Sequence, residues 1–402
     1  MAVFPVTIIE SSPQGLMAFV AESDFTVTDS AGKAIASTID MGASSDDAAV
    51  AKIEGPESKE AIRAACFSRN GALFAVCTNE KAILIYETAS WSLKRRLVSE
   101  KRTNALCFDP ESKYLITGDK FGDCHRISVD NSNDNDNGND NDKPEILLGH
   151  VSILCSVGFS YGSKPYILTC DRDEKLRVSK YPNAYNIQAF GLGHREFVTS
   201  VATAPFASEI AVTGAGDGTV RLWRLETGEL LQTVELDSLM RKYYESGKAK
   251  CGENTREDRT AATQRYGVLR VRSSESLRSF VAVVERIPAV LVLPIGDDLI
   301  SFGEPVLVDI EAAPTDVATT EDGFVVSFEP HTAANQEEAP AIVAYKKNSA
   351  DYAVDDALTD SLASSVATPQ TVKQVHVPSI FVWGNKQFLE RPQGEEEEEH
   401  EE

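Results

Sequence analysis

The chain has 402 residues, with 62 Asp and Glu against 39 Lys and Arg, a formal net charge of −23, and a hydrophobic fraction of 42%. Those proportions suit a folded chain with a sizeable core, and no apolar run approaches the ~18 residues of a membrane helix, so no membrane partner is expected. Seven cysteines without a C-x-x-C pair and six scattered histidines argue against a disulfide framework or a zinc site, and a body this acidic is a poor nucleic-acid binder on its own.

The N-terminal stretch MAVFPVTIIE has no basic region followed by an apolar core, so no secretory signal is expected. Leu16 to Val27 suits two short strands, and Asp40 to Lys59 is poor in large apolar residues and reads as a loop. From Ala61 to Tyr86 the pattern is strand, turn at Arg69-Asn70-Gly71, strand, turn near Asn79 to Lys81, strand. The basic cluster Lys94-Arg95-Arg96 with Lys101-Arg102 follows, either a solvated outer strand or a contact for an acidic partner. Ala105 to Asp130 repeats the strand theme, and the Asn/Asp run at about 130–143 cannot bury apolar area, so disorder is expected there.

Residues 148–223 carry the clearest signal. Gly149-His150 and Gly193-His194 lie 44 residues apart, and so do Asp173 and Asp217. A period of about 40–45, opened by Gly-His and ending near a Trp, is the signature of a β-propeller with four strands per blade. After Trp223, Leu230 to Leu236 is an outer strand, and 237–263 is a charged insertion with a helical start. Strands resume over Val268 to Ile295 and again from Pro305. Disordered polar insertions are expected at 331–338 and 348–370, with the segment from His376 to Pro392 supplying final closing contacts. The predicted fold is all-β, a single seven-bladed WD40-type propeller over 1–390, followed by a disordered acidic tail at 391–402.

Within the fifth blade His194, Thr213, Asp217 and Trp223 have the types and spacing of a buried hydrogen-bonded tetrad. Its imidazole meets a turn carboxylate, and a hydroxyl links it to the indole N–H. The run Gly214-Ala215-Gly216-Asp217-Gly218 is followed by the strand-like TVRLW rather than a helix, which argues against a dinucleotide loop, and no cofactor is expected. No exposed nucleophile with an oxyanion hole accompanies the His and Asp, so no enzyme activity is expected. In the fourth blade the 44-residue period aligns Asp173 with Asp217 and Arg177 with Arg221 and puts Ser179 where Trp223 sits, so the tetrad is expected to be broken. Asp171, Arg172, Asp173, Glu174, Lys175 and Arg177 crowd that turn with charge. It reads either as an ordinary rim turn or as a docking surface.

The segments DRDEKLRVSKYPNAYNI, GLGHREFVTSVA and GAGDGTVRLW closely resemble the WD-repeat, non-catalytic subunit of the eukaryotic tRNA (guanine-N7-)-methyltransferase. The resemblance is strongest over 147–230. It implies a heterodimer in which the propeller holds the active conformation of an S-adenosylmethionine-dependent, Rossmann-type catalytic subunit. That partner forms 7-methylguanosine in the variable loop of tRNA, in the nucleus. It also implies that the partner-facing basic residue falls at Arg177, with Asp171, Arg172, Asp173, Glu174 and Lys175 beside it, and that tRNA is held mostly by the partner. The competing reading is a general interaction propeller, such as a ubiquitin-ligase adaptor or a histone-binding scaffold.

Overall fold

A computed structural model of the protein describes residues 6–38, 50–56, 61–130, 144–163, 165–245, 266–328, 341–349 and 351–366. Seven antiparallel sheets follow one another along the chain, each a simple meander. Six have four strands, and the first gains a short fifth, Ala51–Lys52, paired parallel to Ala34–Ser37. The first strands of the seven sheets are Ile8–Ser11, Ile62–Phe67, Thr103–Phe108, Leu154–Phe159, Val198–Ala204, Val268–Ser274 and Pro314–Thr319. Each packs against the first strand of the next sheet, and the last packs against the first. The result is a closed seven-bladed β-propeller whose first strands frame a central channel.

The sequence pattern follows from this geometry. Second and third strands such as Ser279–Val284 (SFVAVV) and Ala289–Pro294 (AVLVLP) are buried along nearly their whole length, whereas the outer strand Ser92–Val98 is mostly half-buried, with Arg95 its one buried residue. Side chains alternate faces along a strand, and here both faces are covered by neighbouring blades. Phe280, Ala282, Leu291 and Leu293 of blade six meet Val212, Val220 and Leu222 of blade five. Val281, Val283, Val290 and Val292 turn the other way, onto Val317, Phe324 and Val326 of blade seven. Burying each such side chain is worth roughly 1.5–3 kcal/mol, so the ring is held by apolar seams between blades.

Among the described residues, no strand is exchanged where the ring closes. Blade one is built wholly from the N-terminal side and blade seven from the C-terminal side. A shared cluster of Ile9, Met17, Phe19, Ala318, Val325 and Leu362 seals the seam. Polar pins reinforce it: Ile9 N–H donates to Asp316 Oδ2 at 3.1 Å, and Thr315 Oγ1 donates to the Val6 carbonyl at 2.8 Å.

Two expectations change. The innermost strand of blade one, Ile8–Ser11, begins earlier than the pattern from Leu16 indicates. The stretch 348–370, expected to be disordered, contains the strand Tyr352–Val354 and the helix Asp356–Ser365. Asp355 caps that helix by accepting from Leu358 N at 3.2 Å, and the apolar positions Leu358, Leu362 and Val366 fall at four-residue steps on one face that packs into the seam. The insertion at 237–263 does start as a helix, Leu236–Glu245, anchored by the fully buried Leu236 and Met240. The Asn/Asp run at 131–143, the insertion at 331–338, the segment from His376 to Pro392 and the acidic tail lie outside the described residues.

Candidate functional site

Blade five brings its four predicted residues together. Trp223 Nε1–H donates to Thr213 Oγ1 at 2.7 Å, His194 Nε2 lies 2.7 Å from the same hydroxyl, and His194 Nδ1 lies 3.0 Å from Asp217 Oδ2. Because Thr213 accepts from the indole, its own O–H donates to Nε2, which leaves the Nδ1–H to donate to the carboxylate. Asp217 also accepts from Arg195 N–H and from the Thr219 hydroxyl. Burial resists its ionisation, but His194 and these donors prevail and hold its pKa at about 2. The Gly-His pair has a steric reason: Gly193 has φ +148°, and a Cβ there would lie 2.5 Å from Arg221 Nη1.

Blade four lacks the indole, as expected with Ser179 in its place, but keeps the rest of the relay. His150 Nδ1 lies 2.9 Å from Asp171 Oδ2 and Nε2 lies 2.7 Å from Thr169 Oγ1, so the imidazole relay is intact. Its carboxylate comes from Asp171 and not from the period-matched Asp173. Thr169 and Asp171 are two apart on one strand and therefore share a face. In blade five the equivalent strand position is Ala215, and the turn residue Asp217 fills the place instead. Only the indole is missing. Arg177 takes over part of its role: Nε donates to Ser179 Oγ at 2.9 Å, Nη1 to the Gly149 carbonyl and Nη2 to the Ala184 carbonyl, both at 3.0 Å.

The six charged residues read as one docking group therefore divide. Asp171 and Arg177 are buried, 2% and 8% exposed, and their polar atoms serve the blade; burial pulls the Arg177 pKa down. Arg172 lines the central channel, and Asp173 is half-buried beside Cys155, whose thiol burial pushes up to about 12. Glu174 and Lys175 remain at the rim. Glu174 is exposed in the left-handed region at φ +74°, and Lys175 Nζ donates to the Asp173 carbonyl at 2.8 Å.

Sequence reasoning missed what surrounds this rim. Seven of the ten exposed large apolar side chains among the described residues lie between Phe121 and Leu192, that is, in blades three and four. Phe121, Val151 and Leu192 occupy turns or connections at the same end of the blades as Glu174 and Lys175, and Val151 is 99% exposed. Tyr185, Ile187 and Phe190 continue along the outer edge of blade four. The signal was available, since Val151 follows one Gly-His pair and Leu192 precedes the other, positions where a connection is ordinarily polar. The basic cluster also separates: Lys94 pairs with Glu87 and Asp130, Arg96 with Glu54, Arg95 is buried, and Arg102 lines the channel.

Among the described residues, no group of His, Cys, Asp or Glu is placed to hold a metal ion. The Gly214–Gly218 stretch leads into the strand Thr219–Arg224 and offers no helix N-terminus to a phosphate.

Comparison with known proteins bears on the fold and the family. Two solved structures share the fold: the RRP9 WD40 repeats (TM-score 0.60, 14% identity, 83% of this chain and 89% of that one) and a chain of the mitotic checkpoint complex (TM-score 0.60, 14% identity, 82% and 88%). Relatives named as non-catalytic subunits of tRNA (guanine-N(7)-)-methyltransferase include one from Xenopus laevis. It is 37% identical over 180 residues, 44% of this chain and 43% of the relative. Another, from Dictyostelium discoideum, is 25% identical over 342 residues, 80% and 71%. The human relative is 34% identical over 179 residues, 44% and 41%. The match thus spans under half the length of the Xenopus and human relatives. The family described as the tRNA methyltransferase TRM82 WD40 domain matches residues 128–349, more than half of the chain and including both relay-bearing blades. The chain belongs to the tRNA methyltransferase TRM82 WD40 domain family.

Proposed function

We propose that this propeller is the non-catalytic subunit of a heterodimeric tRNA (guanine-N7-)-methyltransferase, acting in the nucleus. It binds the S-adenosylmethionine-dependent catalytic subunit and stabilises the conformation that forms 7-methylguanosine in the variable loop. The family membership and the names of the relatives support the role. The observation that carries the docking site is the concentration of exposed apolar side chains around the Glu174–Lys175 rim. An apolar patch with charged residues beside it is what a protein interface needs, the first for affinity and the second for orientation. The acidic body leaves most tRNA binding to the catalytic partner.

Arg177→Glu, the change that the motif alone suggests, would strip three internal hydrogen bonds and so confuse docking with folding. The double variant Val151→Glu with Glu174→Arg avoids this, since both side chains are exposed. Co-expressed with the catalytic subunit, it is expected to keep the parent's unfolding midpoint, to lose co-purification, and to lower 7-methylguanosine in cells that carry no other copy of the gene. Undiminished co-purification would remove the docking assignment. Capture of a ubiquitin ligase or histone complex in cells lacking the methyltransferase would favour the general-scaffold reading.

A further inference from the structure

Two parts of the central channel wall differ in how their charges are matched. The seven first strands run the same way, as the side-chain bonds between successive ones show: Asn104 Nδ2 reaches the Leu154 carbonyl, and Thr199 Oγ1 reaches the Val268 carbonyl at 2.7 Å. Part-way along the channel wall, Arg270 and Arg272 meet Glu10 and Asp316, two cations against two anions. Arg272 binds Glu10, and Arg270 Nε lies 3.3 Å from Asp316 Oδ1. That set pins blades one, six and seven together and is electrically closed.

At the starting end the wall is cationic. Arg63 is the second residue of its strand, Arg102 immediately precedes its strand, and Arg172 sits in the blade-four turn. All three line a cavity of about 560 Å³, whose wall also includes Glu10, Arg270 and Arg272. Arg63 reaches Asn79 Oδ1 at 3.0 Å, yet burial and the charge of Arg102 still pull its pKa down to about 10. Arg102 and Arg172 make no side-chain hydrogen bond among the described residues; Nε of both and Nη1 of Arg172 are buried without a partner, as is Asn104 Oδ1. The same turn sets one carboxylate, Asp173, next to Arg172. Buried donors left unpaired cost about 1–3 kcal/mol each, and more when charged. The folded chain carries that penalty in a protein whose net charge is −23.

We propose that this end of the channel binds a small multivalent oxyanion, a phosphate or pyrophosphate, between Arg63, Arg102 and Arg172. Planar guanidinium forks match such an anion in geometry, and the low-dielectric walls focus their potential while the acidic exterior repels larger polyanions. The unpaired nitrogens lie within the channel wall, which favours a small ligand over an RNA backbone laid across the surface. Arg172 shares the blade-four turn with the docking rim, so the site is tested on this chain alone, without the catalytic subunit.

The experiment is thermal unfolding and calorimetric titration of the full chain with sodium pyrophosphate, with ionic strength matched by sodium chloride. Pyrophosphate is expected to raise Tm by several degrees where chloride does not. Arg102→Gln with Arg172→Gln breaks no hydrogen bond, so this variant should fold with an unliganded Tm equal to or above the parent's. It should bind pyrophosphate at least about tenfold more weakly, the loss expected when one charge-assisted bond is removed. An equal Tm rise in the variant, an equal rise with chloride, or no rise in the parent would each overturn the proposal. So would a short RNA that binds in an arginine-dependent way and is not displaced by pyrophosphate.

Discussion

Blades four and five are consecutive copies of one unit, and they complete the same internal network by different means. In blade five an apolar ring, Trp223, closes the relay and fills the space against the preceding blade. In blade four the relay from His150 survives, but the indole position holds Ser179, and the Arg177 guanidinium ties together two carbonyls and a hydroxyl. The first solution is largely packing and the second is largely hydrogen bonding. A further difference lies at the turn: Gly218 takes the left-handed position in blade five at φ +75°, where blade four puts Glu174. Blade four thus keeps its frame while placing charged and apolar groups on its rim, which is how a repeat acquires a site without losing its fold.

That contrast breaks most readily at the indole. Trp223→Ala should cost about 3–5 kcal/mol, the range for emptying a buried aromatic site, whereas Ser179→Ala should cost about 1 kcal/mol; urea unfolding midpoints that moved equally would refute the distinction. Next come the carboxylates. Asp171→Asn should destabilise by about 1–3 kcal/mol, because it weakens the bonds to His150 and to Lys175 N–H, and Asp173→Asn should cost less; the reverse order would return the relay to the period-matched residue. The Asp217 carboxylate gives a pH signature of roughly 2 kcal/mol. Its pKa is depressed in the folded chain, to about 2, so its contribution is complete above the ordinary carboxylate range and is lost as pH falls toward that value. The stability gap between the parent and Asp217→Asn should therefore close in acid. Smallest is Glu174→Gly. Relief of the left-handed strain, less the added chain entropy, predicts a gain of about 0.5 kcal/mol, and weaker co-purification in that more stable variant would mark Glu174 as a docking residue.

The parts of the fold that were legible are those with regular spacing. His194, Thr213, Asp217 and Trp223 could be named because each sits at a fixed offset in a unit whose strands are bounded by turn residues. The blade-four carboxylate was misplaced because alignment by period overlooked strand parity, which puts Asp171 and Thr169 on one face. The helix Asp356–Ser365 was obscured by its low overall hydrophobicity, although Leu358, Leu362 and Val366 already stood at four-residue steps. Arg102 looked like part of a surface patch because sequence proximity to Lys94–Arg96 says nothing about the bend that turns one inward and leaves the others on an outer strand. Val151 and Leu192 could be noticed singly beside the Gly-His pairs, but their grouping with Phe121 could not be read, because the three come from different connections that only the fold brings to one end of neighbouring blades.

Closure also bears on how the chain reaches its native state. Most strands pair with a neighbour a few residues away, so six of the seven seams can form as soon as adjacent blades exist. The seventh joins partners such as Ile9 and Asp316, which are 307 residues apart. Until blade seven is made, Ile9, Met17 and Phe19 have no partner, and the ends of a very long loop must still meet. The first blade synthesised is thus the last to be completed. During that interval its inner strand is an open edge, the part of the nascent chain most exposed to wrong pairing with another copy.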